Sequence, residues 1–238
     1  MKPEFYNNYA EYMDYINDLG ISLSHILMLA EVKKHIKDGD KIVDIGGGTG
    51  LFTSHILKLY PNLKLTFIEP SFELLLSAKK KLPETSLFIN KTVSDSLPLI
   101  QSNQNVFLFF RSLYAIVKQN DELSSLLIEL YCKLEENGKI IIYDFCDTFE
   151  INNSFKNYFR NLKVKSPKDE IEFEKFWEMH QKMIQKFSEG VNNGEFKVFT
   201  KKELISIFKA NNFESVHYES VGNRYIAVFQ KVIKCNHP

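Results

Sequence analysis

The chain lacks an excess of charge of either sign: lysine plus arginine number 30, and aspartate plus glutamate also number 30. Proteins that bind nucleic acid typically carry a basic surface that neutralises several phosphates. The balance therefore disfavours a large nucleic acid as the ligand. Cysteine is scarce, with three in 238 residues. Their odd number and irregular spacing predict ordinary thiols in a reducing compartment, with no disulfide framework and no metal site.

Long apolar runs are missing as well. No stretch of about 18 apolar residues occurs, so no transmembrane helix is predicted. The first residues, MKPEFYNNYAEYMDY, are acidic and aromatic where a signal peptide would need an apolar run. We therefore expect a cytoplasmic protein that does not associate with membranes. The length suits one domain with a single core, and the sequence leaves a homodimer open.

What the sequence does contain is a regular alternation of short β-type runs and helical patterns, which is typical of βαβ units. A turn at Gly222-Asn223 separates the last two runs, which predicts an antiparallel hairpin. The pattern predicts an α/β fold with a seven-stranded, mostly parallel, doubly wound sheet and a C-terminal antiparallel β-hairpin. The expected strands are Lys41–Ile45, Leu63–Ile68, Leu87–Lys91, Asn105–Phe110, Lys139–Phe145, Phe213–Tyr218 and Tyr225–Val232.

Four parts of one domain follow from this pattern. Residues 1–40 form an N-terminal helical cap, and residues 41–146 form the ligand-binding core. Residues 147–199 form a helical insertion after the fifth strand, with a break at Ser166-Pro167. Residues 200–238 add a helix and the hairpin to the core. The cap and the insertion are the segments available to form a lid over a ligand.

The most informative segment is KIVDIGGGTG, residues 41–50, in which a buried strand runs into a glycine-rich turn and then into a helix. Glycine lets the backbone approach a ligand closely, and a helix N-terminus offers unpaired N–H groups. The dinucleotide fingerprint G-x-G-x-x-G would need glycine at Leu51. The carboxylate of Asp44 also favours a ligand with a cationic group over a pyrophosphate.

The segment VDIGGGTG resembles the first motif of class I S-adenosylmethionine (SAM)-dependent methyltransferases, and the likeness extends from about Ile36 to the hairpin. The resemblance implies that SAM is the cofactor, with S-adenosylhomocysteine (SAH) as the product. It further implies that the residues around the cofactor's amino-acid end are Asp44, Gly46, Gly47, Gly48 and Gly50.

Two further elements extend the resemblance. Glu69, followed by Pro70, ends the second strand 19 residues beyond Gly50. By resemblance its carboxylate accepts the ribose hydroxyls of SAM. After the third strand, where the family often has an acid that pairs with adenine, the alignment places Val93 or Ser94. Asp95 is the alternative for that contact, and a turn or helix cap is its structural alternative.

Residues at the ends of the fourth and fifth strands are candidates for the reacting end of the site, because ligands bind at the carboxyl edge of such sheets. The resemblance implies that Phe110 and Arg111 approach the cofactor and that Arg111 and Tyr114 approach the acceptor. A surface ion pair is the alternative for Arg111. Asp144 is the best candidate for a general base, with Tyr143 and Tyr114 as further catalytic candidates. Carboxylates at strand ends also cap helices, which is the alternative for Asp144.

Aromatic residues of the cap and the insertion are candidates for the acceptor site, with packing as the alternative. They predict a flat or apolar acceptor and are Tyr6, Tyr9, Tyr158, Trp177 and His180.

The function predicted from these residues is SAM-dependent methyl transfer to a small-molecule acceptor, with oxygen, nitrogen, carbon and sulfur all open as the methylated atom. One alternative is a SAM-binding subunit or pseudoenzyme without transferase activity. A second is a protein or RNA methyltransferase, and a third is a nicotinamide-dependent dehydrogenase, which Leu51 and the hairpin disfavour.

Overall fold

The computed structural model describes residues 9–17, 23–146, 153–221 and 223–233. Tyr6, Gly222 and Cys235 lie outside these ranges. The seven strands are β1 (Lys41–Ile45), β2 (Lys64–Ile68), β3 (Leu87–Ile89), β4 (Gln104–Phe110), β5 (Leu134–Phe145), β6 (Phe213–Val221) and β7 (Arg224–Lys231). The helices are α1 (Ala10–Asn17), α2 (Leu23–Val32), α3 (Leu51–Leu59), α4 (Phe72–Lys79), α5 (Val93–Ser96), α6 (Leu113–Ile116), α7 (Asn120–Lys133), α8 (Asn153–Lys163), α9 (Pro167–Asn192) and α10 (Lys201–Ala210).

The strands form one sheet in the order β3-β2-β1-β4-β5-β7-β6. β1 to β5 pair in parallel, whereas β7 runs antiparallel between β5 and β6. The chain order reverses between β1 and β4, and such a switch point opens a crevice at the carboxyl ends of the strands. This confirms the predicted mostly parallel α/β sheet that closes with an antiparallel hairpin.

Both faces of the sheet are covered, as the almost uniformly apolar strands require. One face carries Val43, Phe107, Ile140 and Phe229 against the leucines of α7 and the buried side of α10. The opposite face packs against α2, α3 and α4 and is lined by the alternate residues of the same strands, which are Ile42, Phe67, Leu108, Ile141 and Val228. Alternation along each strand therefore builds two cores around one sheet.

The fifth strand begins earlier than its sequence pattern predicts. Helix α7 ends at Lys133, and Leu134 adopts an extended conformation (φ −75°, ψ 142°) that pairs with Gln104 of β4. Asn137 has a φ of +63°, so the Asn-Gly pair bends the strand and does not end the helix. The Leu134 side chain is buried and reaches the core from this strand.

The insertion contains the two predicted helices, and a local cap explains the break between them. The hydroxyl of Ser166 accepts the backbone N–H of Asp169, and Pro167 occupies the first turn of α9. Both features favour the start of a helix. α9 contacts α1, so the cap and the insertion meet. Within the described ranges, no helix is both long enough and apolar enough to span a membrane.

Candidate functional site

Backbone hydrogen bonds hold the loop after β1 against the neighbouring strand. The N–H groups of Gly46 and Gly47 donate to the carbonyl of Ile68, at the end of β2, at 2.8 and 3.2 Å. Gly46 has a φ of +70°, and a Cβ atom there would lie 2.7 Å from the Cβ of Ser112. The left-handed backbone and the close approach both require glycine. The loop backbone is therefore fixed where β1, β2 and β4 end.

Glu69 is tied directly to the glycine loop. One carboxylate oxygen accepts the N–H of Gly48 at 2.9 Å, and the other accepts the N–H of Ser71 at 2.8 Å. Only 5% of the Glu69 surface is exposed. Burial raises the pKa of Glu69 to about 7, although its two backbone hydrogen bonds act in the opposite direction. A buried acceptor group thus stands beside Gly48, as the prediction for Glu69 requires.

Asp44 lies beneath the loop and retains unused hydrogen-bonding capacity. Its Oδ2 accepts the hydroxyl of Thr53. Its Oδ1 is buried and has no hydrogen-bond partner within the described part of the chain. Burial raises the pKa of Asp44 to about 6, and the Thr53 hydroxyl partly offsets the effect. A buried carboxylate oxygen without a donor is costly, so this position suits a ligand that brings an N–H or a cation.

The loop borders a cavity of about 280 Å³ at the switch point. This volume is near the lower end of the range of roughly 300–1,000 Å³ found for small-molecule sites. The predicted cofactor residues that line the cavity are Gly46, Gly48, Glu69, Pro70 and Ser94. The cavity is also lined by residues that sequence reasoning missed, which are Met13, Ile45, Ile68, Leu74, Thr92, Ser112, Ala115 and Ile116.

The other predicted cofactor residues occupy different positions. Gly50, with a φ of +73°, caps α3. A Cβ atom at Gly47 would collide with the Phe67 ring, so this glycine makes room for the core below the loop. Asp95 is exposed, and its carboxylate accepts the hydroxyl of Thr92 at 2.7 Å, within the cap of α5. Of the residues predicted to contact adenine, Val93 and Ser94 line the cavity and Asp95 does not.

An aromatic stack lies at the ends of β4 and β5, and its residues do not line the cavity. The Phe110 ring stacks on Phe52 at a centroid distance of 4.3 Å and on Tyr143 at 5.3 Å. The guanidinium carbon of Arg111 lies 4.9 Å from the centroid of Phe110. Arg111 has a φ of +56°, an unfavourable conformation for a residue with a Cβ atom. Phe110, Arg111 and Tyr143 therefore lie together, as the strand-end argument predicts.

Asp144 is buried and acts as the cap of a helix. The Oδ2 atom accepts the N–H of Tyr114 at 3.0 Å, and Oδ1 accepts the N–H of the next residue, Phe145, at 2.8 Å. Burial raises the pKa of Asp144 to about 7, whereas these backbone bonds and the positive charge of Arg111 lower it. The bonds to the start of α6 favour a positioning role for Asp144 over proton transfer.

We expect Asp144→Ala to lower the free energy of unfolding by about 2–3 kcal/mol, because it leaves a buried N–H group without an acceptor. Asp144→Asn keeps one oxygen for Tyr114, and we expect a cost of about 1 kcal/mol or less. Urea denaturation of both variants measures the difference. Equal costs for the two variants, or an Asn variant that folds normally and transfers no methyl groups, would contradict the positioning role.

Helix α1 closes one side of the cavity and is fastened to the core by Lys81. The Lys81 ammonium lies 2.8 Å from the Asp14 carboxylate. It also donates to the carbonyl of Thr49 in the glycine loop at 3.2 Å and to the hydroxyl of Ser77 at 2.7 Å. Met13, the neighbour of Asp14, lines the cavity. One lysine thus connects α1, the glycine loop and α4.

We expect Asp14→Asn and Lys81→Met each to weaken SAH binding by about 3- to 10-fold, because both release α1 from the loop. The double variant should bind only slightly more weakly than the worse single variant, since the two residues act as a pair. Calorimetric titration measures the affinities, with the exposed neighbour Lys80→Met as the control. Additive losses, or an equal loss in the control, would contradict this role.

Three of the aromatic residues predicted to contact the acceptor pack around α1 and α9, which are Tyr9, Trp177 and His180. The Tyr12 hydroxyl lies 2.5 Å from Nδ1 of His180, and the Tyr9 ring packs edge-on against Tyr12. Trp177 is buried, with its ring centroid 5.1 Å from that of His180. Tyr158 belongs to α8, but its side chain is outside the described part, as is all of Tyr6. Contact of these residues with an acceptor stays a prediction.

The strand order, the antiparallel β7 and the glycine loop after β1 define a class I methyltransferase fold. Comparisons with known proteins support this fold. No family model matches the chain. The chain is 29% identical over 147 residues to malonyl-[acyl-carrier protein] O-methyltransferase 1 of Ilyobacter polytropus, covering 56% of this chain and 53% of the relative. It is 26% identical over 146 residues to the malonyl-[acyl-carrier protein] O-methyltransferase of Priestia megaterium, covering 59% and 49%. The chain thus spans about half the length of these curated relatives.

Solved structures support the same fold. The magnesium protoporphyrin IX methyltransferase of Synechocystis, solved with bound SAH, superposes with a TM-score of 0.54 at 10% identity. The match covers 87% of this chain and 81% of that one. The predicted resemblance to class I SAM-dependent methyltransferases is therefore confirmed at the level of the fold, and the chain's curated sequence relatives are methyltransferases.

Proposed function

We propose that the chain binds SAM and transfers its methyl group to a small-molecule acceptor, with oxygen as the favoured atom. The observation that carries the proposal is the joint position of the fixed glycine loop and Glu69 on one cavity, at the switch point of a methyltransferase sheet. The names of the two curated relatives, both O-methyltransferases, support oxygen as the atom.

The residues present suit SAM in three respects. The buried, unpartnered Oδ1 of Asp44 matches a ligand that brings a positive charge to the loop. Glu69 offers a carboxylate at the cavity wall for ribose hydroxyls. Val93 and Ser94 supply a wall for a flat base at the far side of the cavity. When bound, SAM supplies a methyl group that its sulfonium already activates.

Because the donor is activated, the chain mainly has to align the acceptor and exclude water. Helix α1 and helix α9 meet over the carboxyl edge of the sheet through Tyr12 and His180, and they close this region. Burial, followed by the charges of Arg224 and Arg111, lowers the pKa of His180 to about 4. The imidazole is therefore neutral at neutral pH, and its Nδ1 lies within hydrogen-bond distance of the Tyr12 hydroxyl.

Incubation of the protein with SAM and a panel of small acceptors, beginning with a malonyl thioester, tests this function. We expect SAH to form only when an acceptor is present, and mass spectrometry measures both products. Tight SAH binding without turnover on any acceptor of the panel would favour the non-catalytic subunit. Stabilisation by NAD in place of SAH would return the dehydrogenase to consideration.

A further inference from the structure

The short helix α6 stands between the cofactor cavity and the helical insertion. Ser112, the residue before α6, lines the cavity, and so do Ala115 and Ile116 within it. Ala115 also packs against an aromatic cluster on the side of the insertion. The cluster consists of Tyr114, Phe145, Phe187 and Phe196. The same four-residue helix therefore contributes both to a wall of the cavity and to the contact with the insertion.

Tyr114 contacts every other ring of this cluster. Its ring meets those of Phe145, Phe187 and Phe196 edge-on, at centroid distances of 5.3, 5.2 and 5.1 Å. Aromatic pairs favour this edge-to-face arrangement, which adds to the stabilisation from burial. Phe145 ends β5, whereas Phe187 belongs to α9 and Phe196 follows it. One side chain of α6 thus joins the sheet to the insertion.

The backbone around α6 is held from three sides. The N–H of Tyr114 donates to Asp144 of β5 at 3.0 Å, and the carbonyl of Tyr114 accepts the N–H of Lys197 at 3.0 Å. The Ser112 hydroxyl donates to the carbonyl of Ile45 at 2.6 Å, directly before the glycine loop. A displacement of α6 would therefore disturb its bonds to β1, to β5 and to the segment after α9 together.

The end of α9 is shaped to place Phe196 in the cluster. The N–H of Phe196 donates to the carbonyl of Gly190 at 2.9 Å, so the chain folds back onto the helix. A Cβ atom at Gly190 would lie 2.3 Å from the Phe196 ring. Glycine within a helix lowers its stability, but here it allows this close approach. The contact of Phe196 with α9, and the position of its ring beside Tyr114, therefore depend on Gly190.

We propose that Tyr114 is a positioning residue that couples cofactor binding to the packing of the anchor segment, defined as residues 184–198. The inference rests on the proposed function and adds to it a link between the cavity and the insertion. When the anchor segment opens, Tyr114 loses the rings of Phe187 and Phe196, and the cavity wall at Ala115 loses its support. A ligand stabilises the state that binds it, so a cofactor bound against this wall opposes the opening. The coupling is reciprocal, so a ligand that holds the anchor segment in place raises the affinity for the cofactor.

Hydrogen exchange followed by mass spectrometry measures such local opening. Helix α4 is the internal reference, because Leu74 lines the cavity and makes α4 a wall of its own. Each protein is measured without SAH and with SAH at about 100 times its own Kd, so that every sample is equally saturated. We expect SAH to slow exchange in the anchor segment of the unmodified protein by about 10-fold or more, and to slow exchange in α4 as well.

Tyr114→Ala should keep the slowing in α4 but reduce that in the anchor segment to about 2-fold or less. Phe187→Ala removes the partner ring on α9 and should have the same effect, so it replaces Tyr114→Ala if that variant does not fold. Tyr114→Phe keeps the ring and should behave like the unmodified protein. Phe173→Ala is the matched control, since Phe173 is also buried in α9 but stacks on Trp177, about 20 Å along the helix from Phe187. The control should leave the slowing in the anchor segment intact.

Three results would overturn the inference: no slowing of the anchor segment by SAH in the unmodified protein, an undiminished slowing in Tyr114→Ala or Phe187→Ala, or a loss in Tyr114→Phe or Phe173→Ala as large as that in Tyr114→Ala. Calorimetric titration with SAH separates such a failure from failure of the proposed function. Intact SAH binding without slowing of the anchor segment contradicts only the coupling through Tyr114, whereas absence of SAH binding by the unmodified protein contradicts the function itself.

Discussion

The variant Gly48→Arg should bind SAH at least about 100-fold more weakly than the unmodified protein, because its side chain would fill the cavity. Among the residues that the structure describes, no atom beyond the neighbours in the chain lies within 4 Å of a Cβ built at Gly48, so the substitution does not meet the core. The N–H of Gly48 also donates to Glu69, and the φ of +62° must be kept for this bond. Calorimetric titration measures the loss.

A second glycine separates loss of the site from backbone strain. Gly39, before the amino end of β1, also has a positive φ (+92°) and open space around its Cβ position. Gly39→Arg therefore carries a similar cost of about 1 kcal/mol in stability at a position remote from the cavity. We expect it to retain SAH affinity within about 3-fold. Equal losses at both positions, or normal binding by Gly48→Arg, would contradict the cavity assignment.

Replacement of Glu69 by alanine should weaken SAH binding by about 30-fold or more, because a buried carboxylate acceptor and its anchor on Gly48 are both lost. The affinity should also depend on pH. Since the pKa of Glu69 is raised to about 7, the carboxylate is increasingly protonated as pH falls from 8 to 6. Protonation removes an acceptor for ribose hydroxyls, so the affinity of the unmodified protein should fall as the pH falls.

The variant Glu69→Gln distinguishes the titration of Glu69 from a general loss of the binding site. Glu69→Gln cannot ionise at this position, so its SAH affinity should be lower at pH 8 and should fall less than that of the unmodified protein between pH 8 and pH 6, where Asp44, with a pKa of about 6, still titrates beside the loop. Glu73→Gln changes an exposed carboxylate of α4 and should keep the normal pH profile. A profile that stays steep in Glu69→Gln, or one that is flat in the unmodified protein, would show that another group controls binding.

The sequence predicts much of the site because its signals are local. Glycine at positions 46 and 48 indicates a left-handed backbone, and an acid at the end of the second strand indicates a residue of the cavity wall. The Gly222-Asn223 pair and the β-type runs around it predict the antiparallel hairpin that completes the sheet. Such features depend on neighbours in the chain, which a single sequence contains.

Contacts between distant segments were harder to predict. Nothing near Met13 marks it as a cavity residue, because its position depends on Lys81, which joins α1 to the core. The contact of Arg224 with Tyr143 requires β7 to lie beside β5, and the hairpin signal gives only the pairing of β7 with β6. The bond from Asp144 to the start of α6 could not be predicted, because this short helix has too few residues to show a period.

The central claim is that the glycine loop and Glu69 form a SAM site. It is tested most directly by calorimetric titration of the unmodified protein with SAH at pH 8. We expect SAH to bind at one site with a Kd in the micromolar range, which corresponds to a binding free energy of about −8 kcal/mol. No heat of binding at millimolar SAH, together with no shift in the thermal unfolding midpoint, would contradict it.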